Sequence, residues 1–163
     1  MLMEHLIDDL TQSLHKGFID RSLVHQGHHV PKLVLNNREE NVLATLIDEL
    51  EKCQSFMISV AFITPSGLQS LKSHLLDMAQ RGVKGKILTS NYLGFNTPKV
   101  YEELMKLDNV EVRVTDVSGF HAKGYIFDHE AYSTLVVGSS NLTSNALKVN
   151  YEHNILSVSY THL

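Results

Sequence analysis

A single cysteine, Cys53, stands in 163 residues, which excludes an internal disulfide and any cysteine-rich zinc site. Tryptophan is absent, and the longest apolar run, Phe56 to Ile63, is far shorter than a membrane-spanning helix requires. The first ten residues carry Glu4, Asp8 and Asp9 where a signal peptide needs positive charge. A secreted disulfide scaffold, a zinc finger and a membrane-spanning protein are thereby excluded. What is present suits a cytoplasmic globular chain: 43% hydrophobic and 20% charged residues, enough to bury one core without staples.

The net charge of −4 is uneven. Residues 1–54 hold five Lys/Arg against nine Asp/Glu, and residues 55–163 balance at nine against nine. Within that neutral part Lys72, Arg81, Lys84, Lys86 and Lys99 face only Asp77 between positions 72 and 99. Such a cluster suits either a solvated helix end and exposed strand or a surface for a polyanion, and Lys84, Lys86 and Lys99 are the residues expected to guide one.

Leu6, Ile7, Leu10 and Leu14 recur at helical spacing, so residues 1–36 read as a helical extension ending in a loop marked by Gly27 and Pro31. A helix is expected from Asn37, where Asn37 and Glu40 resemble a capping box. Phe56 to Ile63 suits a buried strand. Thr64-Pro65 and Thr97-Pro98 each combine an N-cap with proline at the first helical position. Val83 to Ser90 and Val110, Val112 and Val114 supply two further strands. This strand–helix alternation predicts an α/β fold whose central sheet is mixed but mainly parallel, with helices on both faces. Residues 120–128, 133–138 and 153–160 then read as strands with short connections. The chain stops directly after the last of these, an ending that fits either a very compact protein or a domain cut from a longer one.

The chemistry concentrates late. His121 and Lys123 lie two apart in a predicted strand and therefore share a face, a nucleophile or acid beside a fixed positive charge. Gly138-Ser139-Ser140-Asn141 follows as a turn in which glycine permits close backbone approach, and Ser139 and Asn141 offer donors to anionic oxygens. Glu152 opens the next predicted strand, within reach of the His121 ring. Either piece alone is ordinary strand or loop chemistry. His25, His28 and His29 lack a cysteine or acidic neighbour, so an exposed loop is preferred to a metal site. Cys53, Phe56 and Met57 read as core residues.

In order and spacing, His121-x-Lys123-x4-Asp128 followed by Gly138-Ser139-x-Asn141 resembles the signature of the phospholipase D superfamily, with Glu152 where those enzymes keep an acidic residue. Val60 to Ile63, Tyr92 to Phe95 and Asn141 to Thr143 are similar, more narrowly, to the phospholipase D-like nuclease modules of bacterial helicases and restriction endonucleases. The resemblance implies a nuclease domain over residues 37–163 with a downstream helicase domain in a longer chain. It implies attack by His121 on a phosphodiester, a covalent phosphohistidine and its hydrolysis, with no cofactor and no metal. Lys123, Ser139 and Asn141 would hold the phosphate oxygens, Glu152 would orient His121, and Asp128 and Gly138 would be structural. One motif per chain supplies one of the two histidines required, so a homodimer is implied. DNA is the implied substrate. A lipid phosphodiesterase or phosphatidyl transferase, or a non-catalytic DNA-tethering and dimerisation module, are the alternatives.

Overall fold

The computed structural model describes residues 31–37, 40–91, 94 and 96–159. The expected N-terminal helix, the group His25, His28 and His29, and Tyr92, Leu93 and Phe95 lie outside the described residues. Strands β1 (Lys32–Val34), β2 (Ser55–Val60), β3 (Lys84–Ser90), β4 (Val110–Thr115), β5 (Lys123–Asp128), β6 (Ser133–Gly138) and β7 (Asn154–Ser159) form one sheet in the order β1-β7-β6-β5-β2-β3-β4. Helices α1 (Val42–Lys52), α2 (Pro65–Gln80), α3 (Pro98–Leu104) and α4 (Ser144–Lys148) complete the described elements. None of them is long and apolar enough to cross a membrane.

The fold is α/β with a mixed sheet, as the alternation predicted, but the balance of pairings is different. Only β2–β3 and β3–β4 run parallel; the other four pairings are antiparallel. The reason is connection length. Residues 129–132 alone join β5 to β6, too few for a parallel crossover. β1, which falls inside the stretch read as an extension, pairs with β7 at the sheet edge.

The helix layer also differs from the expectation. Both crossovers step across the sheet in one direction, and right-handed connections then place α2 and α3 on the same side. There Phe56, Ile58, Val60, Tyr125, Phe127 and Val136 form one core with Leu46, Leu71 and Val100. The opposite face leaves Met57, Ile126, Leu135 and Val137 exposed, so among the described residues helices cover one face.

Capping explains where the helices begin. Thr64 accepts from the Gly67 amide at 3.1 Å to start α2, with Pro65 at its first position. For α1 the cap is Asn41, which accepts from Ala44 at 2.8 Å, not Asn37. Asn37 instead closes a turn with Glu40 at 2.9 Å ahead of the helix. α4 is capped by Thr143 and is too short for its periodicity to be legible in sequence.

Candidate active site

Strand direction gathers the polar residues at one end of the sheet. β5 is antiparallel to β2 with Lys123 opposite Val60, so the start of β5 meets the end of β2. The end of β6 meets the start of β7, with Gly138 opposite Asn154. A Cβ at Gly138 would lie 2.1 Å from the His153 carbonyl oxygen, so only glycine lets the two strands approach here. Around this end stand His121, Lys123, Ser139, Asn141 and Glu152.

His121 and Ala122 precede β5 rather than belonging to it, although the Ala61 amide still reaches the Ala122 carbonyl at 3.0 Å. His121 is exposed and Lys123 buried. The Lys123 ammonium donates to His121 Nδ1 at 2.8 Å and to the His121 carbonyl at 2.8 Å. An ammonium has donors only, so Nδ1 is the acceptor and a neutral ring carries its hydrogen on Nε2. Burial pushes the Lys123 pKa below its ordinary 10.5, and the Glu152 carboxylate opposes that shift.

Glu152 lies ahead of β7 and is held by its neighbours. Ser139 Oγ donates to one carboxylate oxygen in a short hydrogen bond, and Asn150 Nδ2 donates to the other at 3.4 Å. No hydrogen bond joins Glu152 to the His121 ring here. Its link to the pair is its charge beside Lys123. Ser139 is engaged twice, since its oxygen also accepts from the His153 amide at 3.1 Å.

Asn141 Oδ1 accepts from the Phe62 amide at 3.1 Å, which leaves its Nδ2 hydrogens for an incoming oxygen. Asp128 stands apart, at the far end of β5, accepting from Ser55 and Ser133 at 2.8 Å each. It ties three adjacent strands together.

Three residues at this end were not singled out from sequence as site residues. Phe62 presents its ring to the His121 ring at 5.6 Å and 74°, with the Lys123 ammonium 5.9 Å from its centroid. Its place directly after a strand made it resemble core. Asn154 is buried and braces the Gly138–Asn141 turn, donating to Ser140 Oγ at 2.9 Å. Asn96 is buried as well. It accepts from the Ile63 amide at 2.6 Å and donates to the Ala61 carbonyl at 3.4 Å, fixing the chain on either side of Phe62. A buried asparagine in a loop carries no sequence signal beyond turn propensity.

Among the described residues no other histidine is hydrogen-bonded to a lysine. His129 is buried at the far end, bonded to Glu49 at 2.9 Å. His153 contributes its backbone to Ser139. Cys53 is buried, with its thiol pushed up to about 11 by desolvation, and is inert at neutral pH. Among the described residues no three His, Cys, Asp or Glu side chains are grouped so as to hold a metal ion.

A family model described as "Cardiolipin synthase, PLD-like domain" matches residues 46–161. Among solved structures the chain is similar to NucT from Helicobacter pylori, with 21% identity, a TM-score of 0.62, and 79% of this chain and 84% of that one covered. Nuc from Salmonella typhimurium, a phospholipase D family member, has 19% identity and a TM-score of 0.60, with the same coverage of 79% and 84%. Phosphatidylserine synthase from Haemophilus influenzae has 15% identity and a TM-score of 0.63, with 93% of this chain and 40% of the other covered. No curated protein sequence matches the chain.

Proposed function

This chain belongs to the phospholipase D superfamily, and within that family we propose that it is a hydrolase of the phosphodiesterase and nuclease type that cleaves DNA through a phosphohistidine at His121. The observation that carries this reading is the His121–Lys123 pair set beside Asn141, Ser139 and Glu152 at one end of the sheet.

The scissile phosphate brings two non-bridging oxygens, which take donors from Lys123 and from Asn141 Nδ2. Once an oxygen accepts from Lys123, the ammonium no longer needs Nδ1 of His121, and the ring hydrogen is free to shift from Nε2 to Nδ1. The freed Nε2 lone pair then attacks phosphorus. A P–N bond forms, the P–O bond to the leaving sugar breaks, and an acid protonates the departing oxygen. That acid is a second His121, from another copy of the chain, because each chain carries one copy of the His-x-Lys motif. The same imidazole, now neutral, takes a proton from water, which attacks phosphorus and breaks the P–N bond. Glu152 holds the positive charge of the site in balance, and Ser139 holds Glu152. The cationic and amide donors supply the charge stabilisation, so the reaction runs without a metal. A helicase partner domain and a cytoplasmic setting are part of the same reading.

One observation favours the lipid alternative: the likeness to phosphatidylserine synthase covers 93% of this chain. Only 40% of that synthase is covered, however, against 84% of NucT and of Nuc, so the nuclease reading is preferred. The test is incubation with labelled single- and double-stranded DNA in excess chelator. Cleavage should persist, and His121→Ala should abolish it with the fold intact. Loss of cleavage in chelator, or a phosphohistidine trapped at another position, rejects the reading.

A further inference from the structure

We propose that the cleft between α2 and α3 is a second phosphate subsite, in which Lys99 and Lys72 hold a backbone phosphate of the nucleic-acid strand flanking the one cleaved at His121. The proposal rests on the DNA-cleaving reading and names where the rest of that substrate runs.

The cleft is continuous with the active-site end. Asn141 holds the Phe62 amide, Ile63 forms a bridge with Leu142, and the Ile63 amide reaches Asn96 at 2.6 Å. From those two anchor points the chain enters α2 at Pro65 and α3 at Pro98, so both helices start at the catalytic end of the sheet. Ser66 is four residues beyond Phe62, a path of at most about 14 Å. That places the cleft beside the scissile position rather than on it.

Its volume is about 410 Å³, and Ser66, Gln69, Lys72, Lys99 and Glu103 supply its polar lining. The acidic member does not cancel the basic ones. Lys72 and Lys106 each contact Glu103 at 2.5 Å and together hold its carboxyl down to about 2, so two cations already answer its charge. Lys99 makes no ion pair among the described residues. The cleft therefore keeps a surplus of positive charge, with a serine hydroxyl and a glutamine amide placed to donate to oxygens. A phospholipid with one phosphodiester would fill the catalytic end and leave this cleft unused. A polymer with a phosphate on every residue would not.

The fold also divides the basic cluster seen in the sequence. Lys84 and Lys86 open β3, opposite Ser55 and Met57, at the end of the sheet away from His121. Lys99 lies at the catalytic end.

The experiment measures binding of a single-stranded oligonucleotide to the uncleaving His121→Ala full chain between 50 and 200 mM salt, with and without Lys99→Gln. Each phosphate contact contributes a slope of about 0.7–0.9 in log affinity against log salt. Lys99→Gln should therefore weaken binding at low salt, and its further loss across that range should be about threefold smaller. Lys84→Gln with Lys86→Gln should leave the slope unchanged. An unaltered slope in Lys99→Gln, or an equal change in the Lys84/Lys86 variant, overturns the proposal. So does a Lys99 dependence seen with anionic phospholipid vesicles but not with the oligonucleotide. DNA cleavage by the native chain with an unaltered Lys99 slope sinks the cleft alone. A Lys99-dependent slope without cleavage sinks the catalytic reading and leaves the cleft standing.

Discussion

Lys123 is pulled in two directions at once. Burial disfavours its charge, while Glu152 favours it, and burial wins; the Phe62 ring lies over the ammonium at 5.9 Å. A lysine whose pKa lies below 10.5 keeps its charge at lower pH and loses it as pH rises through the lowered value. The anion-holding charge of the site is then lost before a free lysine would lose it. The alkaline limb of kcat/KM should accordingly fall below pH 10.5. Phe62→Ala admits water to Lys123 and should move that limb upward, whereas Phe62→Tyr, which keeps the ring, should leave it in place. NMR titration of the Lys123 ammonium reads the same shift without turnover. A limb that stays put in Phe62→Ala denies Phe62 any control over Lys123. The His121 ring offers a companion measurement. Inorganic phosphate should draw Lys123 away from Nδ1, and the ring ¹⁵N shifts should show hydrogen moving from Nε2 to Nδ1. Shifts that do not respond to bound phosphate would leave the resting tautomer unexplained.

At the scale of elements, legibility followed locality. Thr64-Pro65 and Gly82 mark α2 because caps and turns are written in adjacent residues, and Gly82 does adopt a positive φ of 74°. The His121–Lys123 pair was legible for the same reason, being two residues apart. Its geometry was less so: the expected shared strand face became a lysine curled back onto the histidine just outside the strand. Pairing partners were illegible wherever they depend on residues far apart in sequence. Glu49 shows this. It looks like one more charge on an amphipathic helix, yet it is buried, accepting from Thr134 at 2.5 Å and pairing with His129 at 2.9 Å. Tyr132 stacks on that histidine at 4.3 Å. This cluster ties α1 to the β5–β6 hairpin. Glu49→Ala leaves a buried histidine and hydroxyl without their acceptor and should cost about 3 kcal/mol in urea unfolding. Glu49→Gln keeps one acceptor oxygen and should cost less. Equal losses in the two variants would mean that packing, not the acceptor, holds the hairpin.

The whole molecule poses a problem of stoichiometry. The proposed mechanism needs two histidines, one to attack and one to protonate the leaving oxygen, and among the described residues only His121 is hydrogen-bonded to a lysine. His129 is sealed at the opposite end of the sheet, so no rearrangement short of unfolding brings it to the site. The proposed working unit is therefore a homodimer whose site contains His121 from both copies, one site to a dimer. Native and His121→Ala chains, unfolded together in equal amounts and refolded, pair at random. About a quarter of the dimers then carry both histidines, and activity should fall to about a quarter of that of native protein at the same total concentration. Independent sites would leave about half, as would chains that failed to exchange. An affinity tag on one chain type separates these cases, because mixed dimers can be isolated and assayed alone. Under the shared site they are inactive, whichever copy would have supplied the nucleophile. Mixed dimers that retain half the native turnover would require each chain to hold its own acid, and the single-motif reading of this sequence would fail with them.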